Sequence, residues 1–180
     1  MASPNVRFAQ QADMPTICKI VNHYIATTKL NFRTELQTPE DWTKDWQHLR
    51  ERYPWLVATV DERVVGVAYA GPWKARSAYD WSTESTVYVD PTAQRRGVGR
   101  ALYERLFSLL DAQGYRTTLA VIALPNPASI GIHESFGFRP VGVLRSVGFK
   151  LGTWCDVGFW QRLHEHSDAA PSAVRPLPGP

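Results

Sequence analysis

Apolar positions in the first part of the chain fall at helical spacing twice and at strand spacing around those two stretches. Ile17, Ile20, Val21, Tyr24 and Ile25 recur three and four residues apart, which predicts an amphipathic helix over about 14–28 with Asp13 as its cap. A second helix is expected after Thr38. Pro39 takes its first helical position, Asp41 stands three residues past the cap, and Trp42, Trp46 and Leu49 share a face. Residues 6–9, 55–60, 64–70 and 84–89 read as strands, the middle two forming a hairpin around Asp61, Glu62 and Arg63. Gly97 opens a long helix whose stripe is Val98, Leu102, Leu106, Leu109 and Leu110, and Gly114 ends it. Residues 118–124 are apolar almost throughout, as in a strand buried on both faces. A short helix over 126–136 and strands near 140–145 and 155–161 follow. The order β-α-α-β-β-β-α-β-α-β-β, a meander and then a helical crossover, predicts an α/β (α+β) fold with a mixed sheet and helices on both faces.

Composition narrows the class. The 180 residues are 44% hydrophobic and 21% charged, which suits one globular domain over 1–165 with a real core. Residues 166–180 are proline-rich and poor in apolar side chains, so disorder is expected there. No apolar run approaches the ~20 residues that span a bilayer. Met1 to Asn5 has neither the basic nor the apolar region of a secretory signal, so a cytoplasmic location away from any membrane is expected. A net charge of +3 does not by itself argue for nucleic acid, and the arginines cluster at one loop rather than along a face. It suits anionic ligands. Cys18 and Cys155 are far apart in sequence and read as reduced, buried thiols. His164, Glu165 and His166 form the only tight cluster of metal-ligand types and border the tail, so no metal is expected. Most of the seven Trp and seven Tyr should lie in the core or on a dimer surface.

The chemistry concentrates in residues 87–102. A strand ends at Asp90-Pro91, and the loop Gln94-Arg95-Arg96-Gly97-Val98-Gly99 opens the long helix. Amides at a helix start have no intrahelical partner and the helix dipole favours negative charge there. Gly97 and Gly99 leave the backbone open to a phosphate, while Arg95, Arg96 and Arg100 add charge. The spacing fits neither the P-loop nor the dinucleotide fingerprint.

This loop resembles the Q/R-x-x-G-x-G/A signature of the GNAT acetyltransferase superfamily. A second signature follows in place: Asn126, Ala128-Ser129 and Glu134-Ser135-Phe136-Gly137-Phe138. The resemblance implies a mostly antiparallel sheet with splayed central strands and acetyl-CoA as co-substrate. It implies that Arg95, Arg96, Gly97, Val98, Gly99 and Arg100 hold the pyrophosphate. Val87, Tyr88 and Val89 would pair with the pantetheine arm like an added strand, with Asn126 beside it. Most of the superfamily has Tyr where this chain has His133, which puts the acid for the leaving thiolate at His133 or makes that role minor.

Further strings narrow the match: Asn31-Phe32-Arg33-Thr34-Glu35, Gly71-Pro72-Trp73-Lys74-Ala75-Arg76 and Asp156-Val157-Gly158-Phe159-Trp160-Gln161 among them. From about Val6 to Arg162 the chain looks like the phosphinothricin N-acetyltransferase branch of the superfamily. That likeness implies acetylation of a small anionic amino acid, with Glu84 as general base, and a homodimer. It implies no nucleic acid. Lys74, Arg76 and Tyr79 would hold the anionic groups, with Phe32, Arg33 and Tyr88 lining the same pocket. The sulfoximine and sulfone of methionine are the alternative substrates, followed by other small primary amines.

Overall fold

The computed structural model describes residues 3–164 and 170–178. The chain folds as β1 (Asn5–Phe8), α1 (Met14–Thr27), α2 (Pro39–Leu49), β2 (Trp55–Val60), β3 (Arg63–Pro72), β4 (Ser82–Val89), α3 (Val98–Gln113), β5 (Thr117–Leu124), α4 (Pro127–Ser135), β6 (Arg139–Lys150) and β7 (Thr153–Leu163). This is the order read from the hydrophobic pattern. The strands form one sheet in the order β1-β2-β3-β4-β5-β7-β6. Every neighbouring pair is antiparallel except β4 and β5, which run parallel.

Each face buries a separate cluster. Met14, Ile17, Val21 and Ile25 of α1 and Trp42 and Trp46 of α2 pack on Trp55, Val57 and Val67. Leu102, Leu106 and Leu110 of α3 pack on the opposite face with Leu56, Ala68 and Ala120. The stripe positions set both layers, and alternation along β2 and β3 sends neighbouring residues to opposite clusters.

Local signals are realised unevenly. Thr38 caps α2 by accepting from the Asp41 amide at 3.2 Å, while the Asp41 carboxylate accepts from the Thr38 amide at 2.9 Å. Asp13 does not cap α1. Its carboxylate takes two 2.7 Å bonds from Arg7 and one of 2.8 Å from the Gln10 amide, since a charged fork outcompetes a lone helix amide. Both cysteines are free and buried.

Strand β6 runs past the expected 145 because a bulge interrupts its alternation. The register steps from Leu144↔Val157 to Gly148↔Cys155. Asp156 closes the bulge by accepting from the Ser146 amide at 2.8 Å and from Arg145 at 2.7 Å. Strand β6 is an edge of the sheet, and Val141, Val147 and Phe149 are at least half exposed. Of the tryptophans, Trp42, Trp46, Trp55 and Trp160 are buried and only Trp154, at 63%, is strongly exposed. The available contact surface is therefore an apolar strand face rather than a tryptophan-rich one.

The tail also departs from expectation. Ser172 accepts from the Trp81 indole at 2.7 Å, Arg175 exchanges main-chain and side-chain bonds with Gln113, and Val174 packs on the α3 side of the core. Main-chain pairing needs no apolar run, so composition did not reveal it. Residues 166–169, 179 and 180 lie outside the described residues, as do Glu165 and His166 of the His-rich cluster. His164 is 3% exposed, its ring held between Asp111 and the Thr118 hydroxyl.

Candidate active site

The site begins with a break in the sheet. Strands β4 and β5 pair only at Ser82↔Thr117, Thr83↔Thr118 and Glu84↔Leu119. Beyond Glu84 they diverge, although β4 stays paired with β3 up to Val89 and β5 with β7 up to Leu124. The far edge of 85–89 is left without a strand partner among the described residues, and Glu84 stands at the vertex of the wedge. A cleft of about 720 Å³ passes through the gap. Asn31, Phe32, Glu84, Tyr88, Asn126, Ser129 and His133 line it, together with Gln94, Arg95 and residues 97–100.

Period-two alternation sorts the side chains of β4. Tyr88 packs with the α1–α2 layer, whereas Val87 and Val89 pack with α3. Glu84, in phase with Tyr88, belongs to the α1–α2 side. Burial raises the Glu84 pKa above the ordinary carboxylate value, and Lys74 opposes that shift. Low dielectric disfavours the charged form.

The loop before α3 is built to keep its amides open. Asp90 accepts from the Thr92 amide at 2.8 Å, turning the chain after β4. Arg95 and Gly97 both adopt left-handed backbone, with φ of 59° and 76°. A Cβ on Gly97 would meet nothing within 4 Å, so its conformation, not crowding, calls for glycine. No side chain caps α3. Gly99 answers to space instead, since a Cβ there would lie 3.1 Å from the Ile132 side chain. Tyr24 ties the loop to β4, donating to the Val89 carbonyl at 2.5 Å and accepting from Gln94 at 2.9 Å. The left-handed turn, the uncapped helix start and the unpaired strand edge together fit a long ligand with a phosphate end and an amide-bearing arm.

Asn126 caps α4, accepting from the Ser129 amide at 3.1 Å. His133 is 4% exposed and both its ring nitrogens are engaged, Nδ1 with the Ser129 carbonyl at 2.7 Å and Nε2 with the Tyr103 hydroxyl at 2.9 Å. A carbonyl only accepts, so Nδ1 carries the proton and Tyr103 donates to Nε2. Burial lowers the His133 pKa, which favours the neutral ring.

The pattern of the acetyltransferase (GNAT) domain matches residues 6–158. The chain belongs to the GNAT acetyltransferase family. It is 54% identical over 172 residues to phosphinothricin N-acetyltransferase of Streptomyces viridochromogenes, covering 96% of this chain and 93% of the relative. It is 36% identical to the L-methionine sulfoximine/L-methionine sulfone acetyltransferase of Salmonella typhimurium, with 93% and 98% covered. The phosphinothricin acetyltransferase of Sinorhizobium meliloti, solved in complex with acetyl-CoA, superimposes with a TM-score of 0.91 at 30% identity over 95% of this chain and 94% of that one.

In this GNAT acetyltransferase the residues expected at the site do not all meet. Phe32, Glu84, Val87, Tyr88, Val89, Arg95, Gly97, Val98, Gly99, Arg100, Asn126 and His133 line the cleft. Arg96 does not, and neither do Arg33, Lys74, Arg76 and Tyr79. The last three belong to the segment after Pro72, where Lys74 is still close enough to Glu84 to oppose its pKa shift. Lys74 lies over the Trp73 ring at 4.6 Å, and Arg52 binds the Asp80 carbonyl at 3.1 Å. Tyr24 and Asn31 line the cleft but escaped the sequence reading as site residues, because Tyr24 fits the apolar stripe of α1 and Asn31 reads as loop. Among the described residues, no group of three or more His, Cys, Asp or Glu is placed to hold a metal ion, and no helix is long and apolar enough to cross a membrane.

Proposed function

We propose that the enzyme transfers the acetyl group of acetyl-CoA to the α-amino group of phosphinothricin. The observation that carries this is the half-buried carboxylate of Glu84, its pKa raised by desolvation, at the vertex of an open wedge between parallel strands. The 94–100 loop and the start of α3 would hold the pyrophosphate, and the free edge of 87–89 would pair with the pantetheine arm. Acetyl-CoA supplies an activated thioester there. Glu84 removes a proton from the substrate ammonium, directly or through water, and its raised pKa makes it a stronger base for that task. His133 acts in this reading by holding Tyr103 rather than by giving up a proton. Phe32 and Tyr88 form the wall of the amine site, and Lys74, Arg33, Arg76 and Tyr79 attract the substrate anions from its rim.

The 54% identity to a phosphinothricin N-acetyltransferase supports this substrate, and acetylation would inactivate the compound, a resistance role. The Salmonella relative supports methionine sulfoximine and sulfone as the alternative. The exposed apolar face of the β6–β7 hairpin, with Val143, Phe149 and Trp154, supports a homodimer, and the two free buried thiols suit the reducing cytoplasm. The test is release of free CoA thiol with phosphinothricin, methionine sulfoximine, methionine sulfone and glutamate side by side. A kcat/KM for phosphinothricin well above the others is expected; a preference for a methionine derivative would overturn the substrate assignment.

A further inference from the structure

Lys150, the last residue of β6, has no part in the acetyl-transfer scheme and is 7% exposed. Its ammonium donates to the Ile25 carbonyl at 2.7 Å and to the Asn31 carbonyl at 2.6 Å. The first acceptor is one of the final carbonyls of α1, which lack intrahelical partners and sit at the negative end of the helix dipole. The second belongs to the loop that forms the amine-side wall of the cleft. One side chain therefore joins three elements: the end of α1, the wall loop and the β6–β7 hairpin.

The wall loop is fixed at two further points. Asn31 donates through Nδ2 to the Tyr88 hydroxyl at 2.8 Å and accepts through Oδ1 from the Arg33 amide at 2.8 Å. The Phe32 ring lies so close over Gly148 that a Cβ there would be 2.2 Å from it. Gly148 and Lys150 are in phase on the strand, so both meet the loop from the same face. Phe149 between them points away and is 59% exposed. Phe32, at 39% exposure, owes its place to the hairpin rather than to burial in a core.

We propose that Lys150 is a positioning residue for the amine site: with Gly148 it makes the β6–β7 hairpin a template that sets the 28–33 loop, and so the placement of Phe32 and Asn31. The inference rests on the acetyltransferase reading for its kinetic consequence, but its structural core does not.

Lys150→Met keeps the length of the side chain and removes all its donors, leaving two carbonyls to find water. Gly148→Ala disturbs the same wall independently by displacing the Phe32 ring, without a left-handed backbone to strain. Hydrogen exchange of the amides of 28–33 is measured first, on the free protein, and then the KM for the amine and the Kd for acetyl-CoA. Both variants should speed exchange in 28–33 about tenfold relative to α1 and raise the amine KM about tenfold, with the acetyl-CoA Kd within about twofold. If Lys150→Met fails to fold, Gly148→Ala carries the test alone. Unchanged local exchange, or an amine KM and acetyl-CoA Kd that worsen together, would overturn the proposal. Should no tested amine be acetylated by the unaltered enzyme, the functional reading fails while the exchange result still decides the positioning role.

Discussion

At the scale of single residues, burial shifts two titratable groups of the cleft in opposite directions. His133 is saturated, with a carbonyl on one nitrogen and a phenol on the other. Among the described residues no hydrogen bond holds the charge of Glu84, and burial raises its pKa against the pull of Lys74. The acid limb of kcat/KM against pH should therefore lie above the pH of an ordinary glutamate, with activity falling as pH drops through it. The linked effect on stability has the opposite sense. A carboxyl whose folded pKa exceeds its unfolded one adds stability below the unfolded pKa and loses it as pH rises through the folded value. Glu84→Gln should thus lower turnover ~10²-fold or more while raising Tm at neutral pH, a gain that disappears in acid. Turnover near normal in this variant would remove Glu84 from the base role. The resemblance to the family could nominate both residues, His133 by its place in the second signature and Glu84 by the closer likeness. It could not tell them apart, because the difference lies in partners contributed by α3 and by the opening of the sheet.

At the scale of elements, the wedge and the glycine loop depend on different things. The loop was legible because it is local: two glycines, a proline turn and a helix start are contiguous, and the backbone angles at Arg95 and Gly97 follow from them. Gly97→Ala should weaken acetyl-CoA binding about tenfold or more by straining a left-handed residue, with the amine KM little changed, as calorimetry and initial rates would show. An equal loss in both constants would mean that the loop also shapes the amine site. The wedge had no such local signal. Strand β4 is continuous in sequence and in its pairing with β3, and only the three-pair register with β5 reveals the opening. The resemblance to a family supplied the splay, which periodicity could not. The basic segment after β3 was legible from its charge, but charge alone could not say that Arg52 would tie it down at the Asp80 carbonyl.

At the scale of the whole molecule, the hydrophobic pattern gave the element order and both faces of the sheet. It missed how far the last hairpin extends, because the bulge at 145–147 breaks the alternation that marks a strand. That hairpin presents Val143, Phe149, Leu151 and Trp154 to solvent at the sheet edge, an apolar surface of the kind that marks an interface. If the proposed homodimer uses this face, Phe149→Glu should convert it to a monomer in sedimentation velocity; a species of unchanged size would remove this face from that proposal.

The unpaired edge of β4 also bears on the lifetime of the protein. If the pantetheine arm pairs with this edge as proposed, its entry supplies the missing bonds and links folding to the supply of that ligand. At a free concentration 100 times its Kd, such a ligand adds about 2.7 kcal/mol to the folded state. The abundance of this chain in a cell would then track the acyl donor's concentration, the empty form being the one exposed to proteolysis.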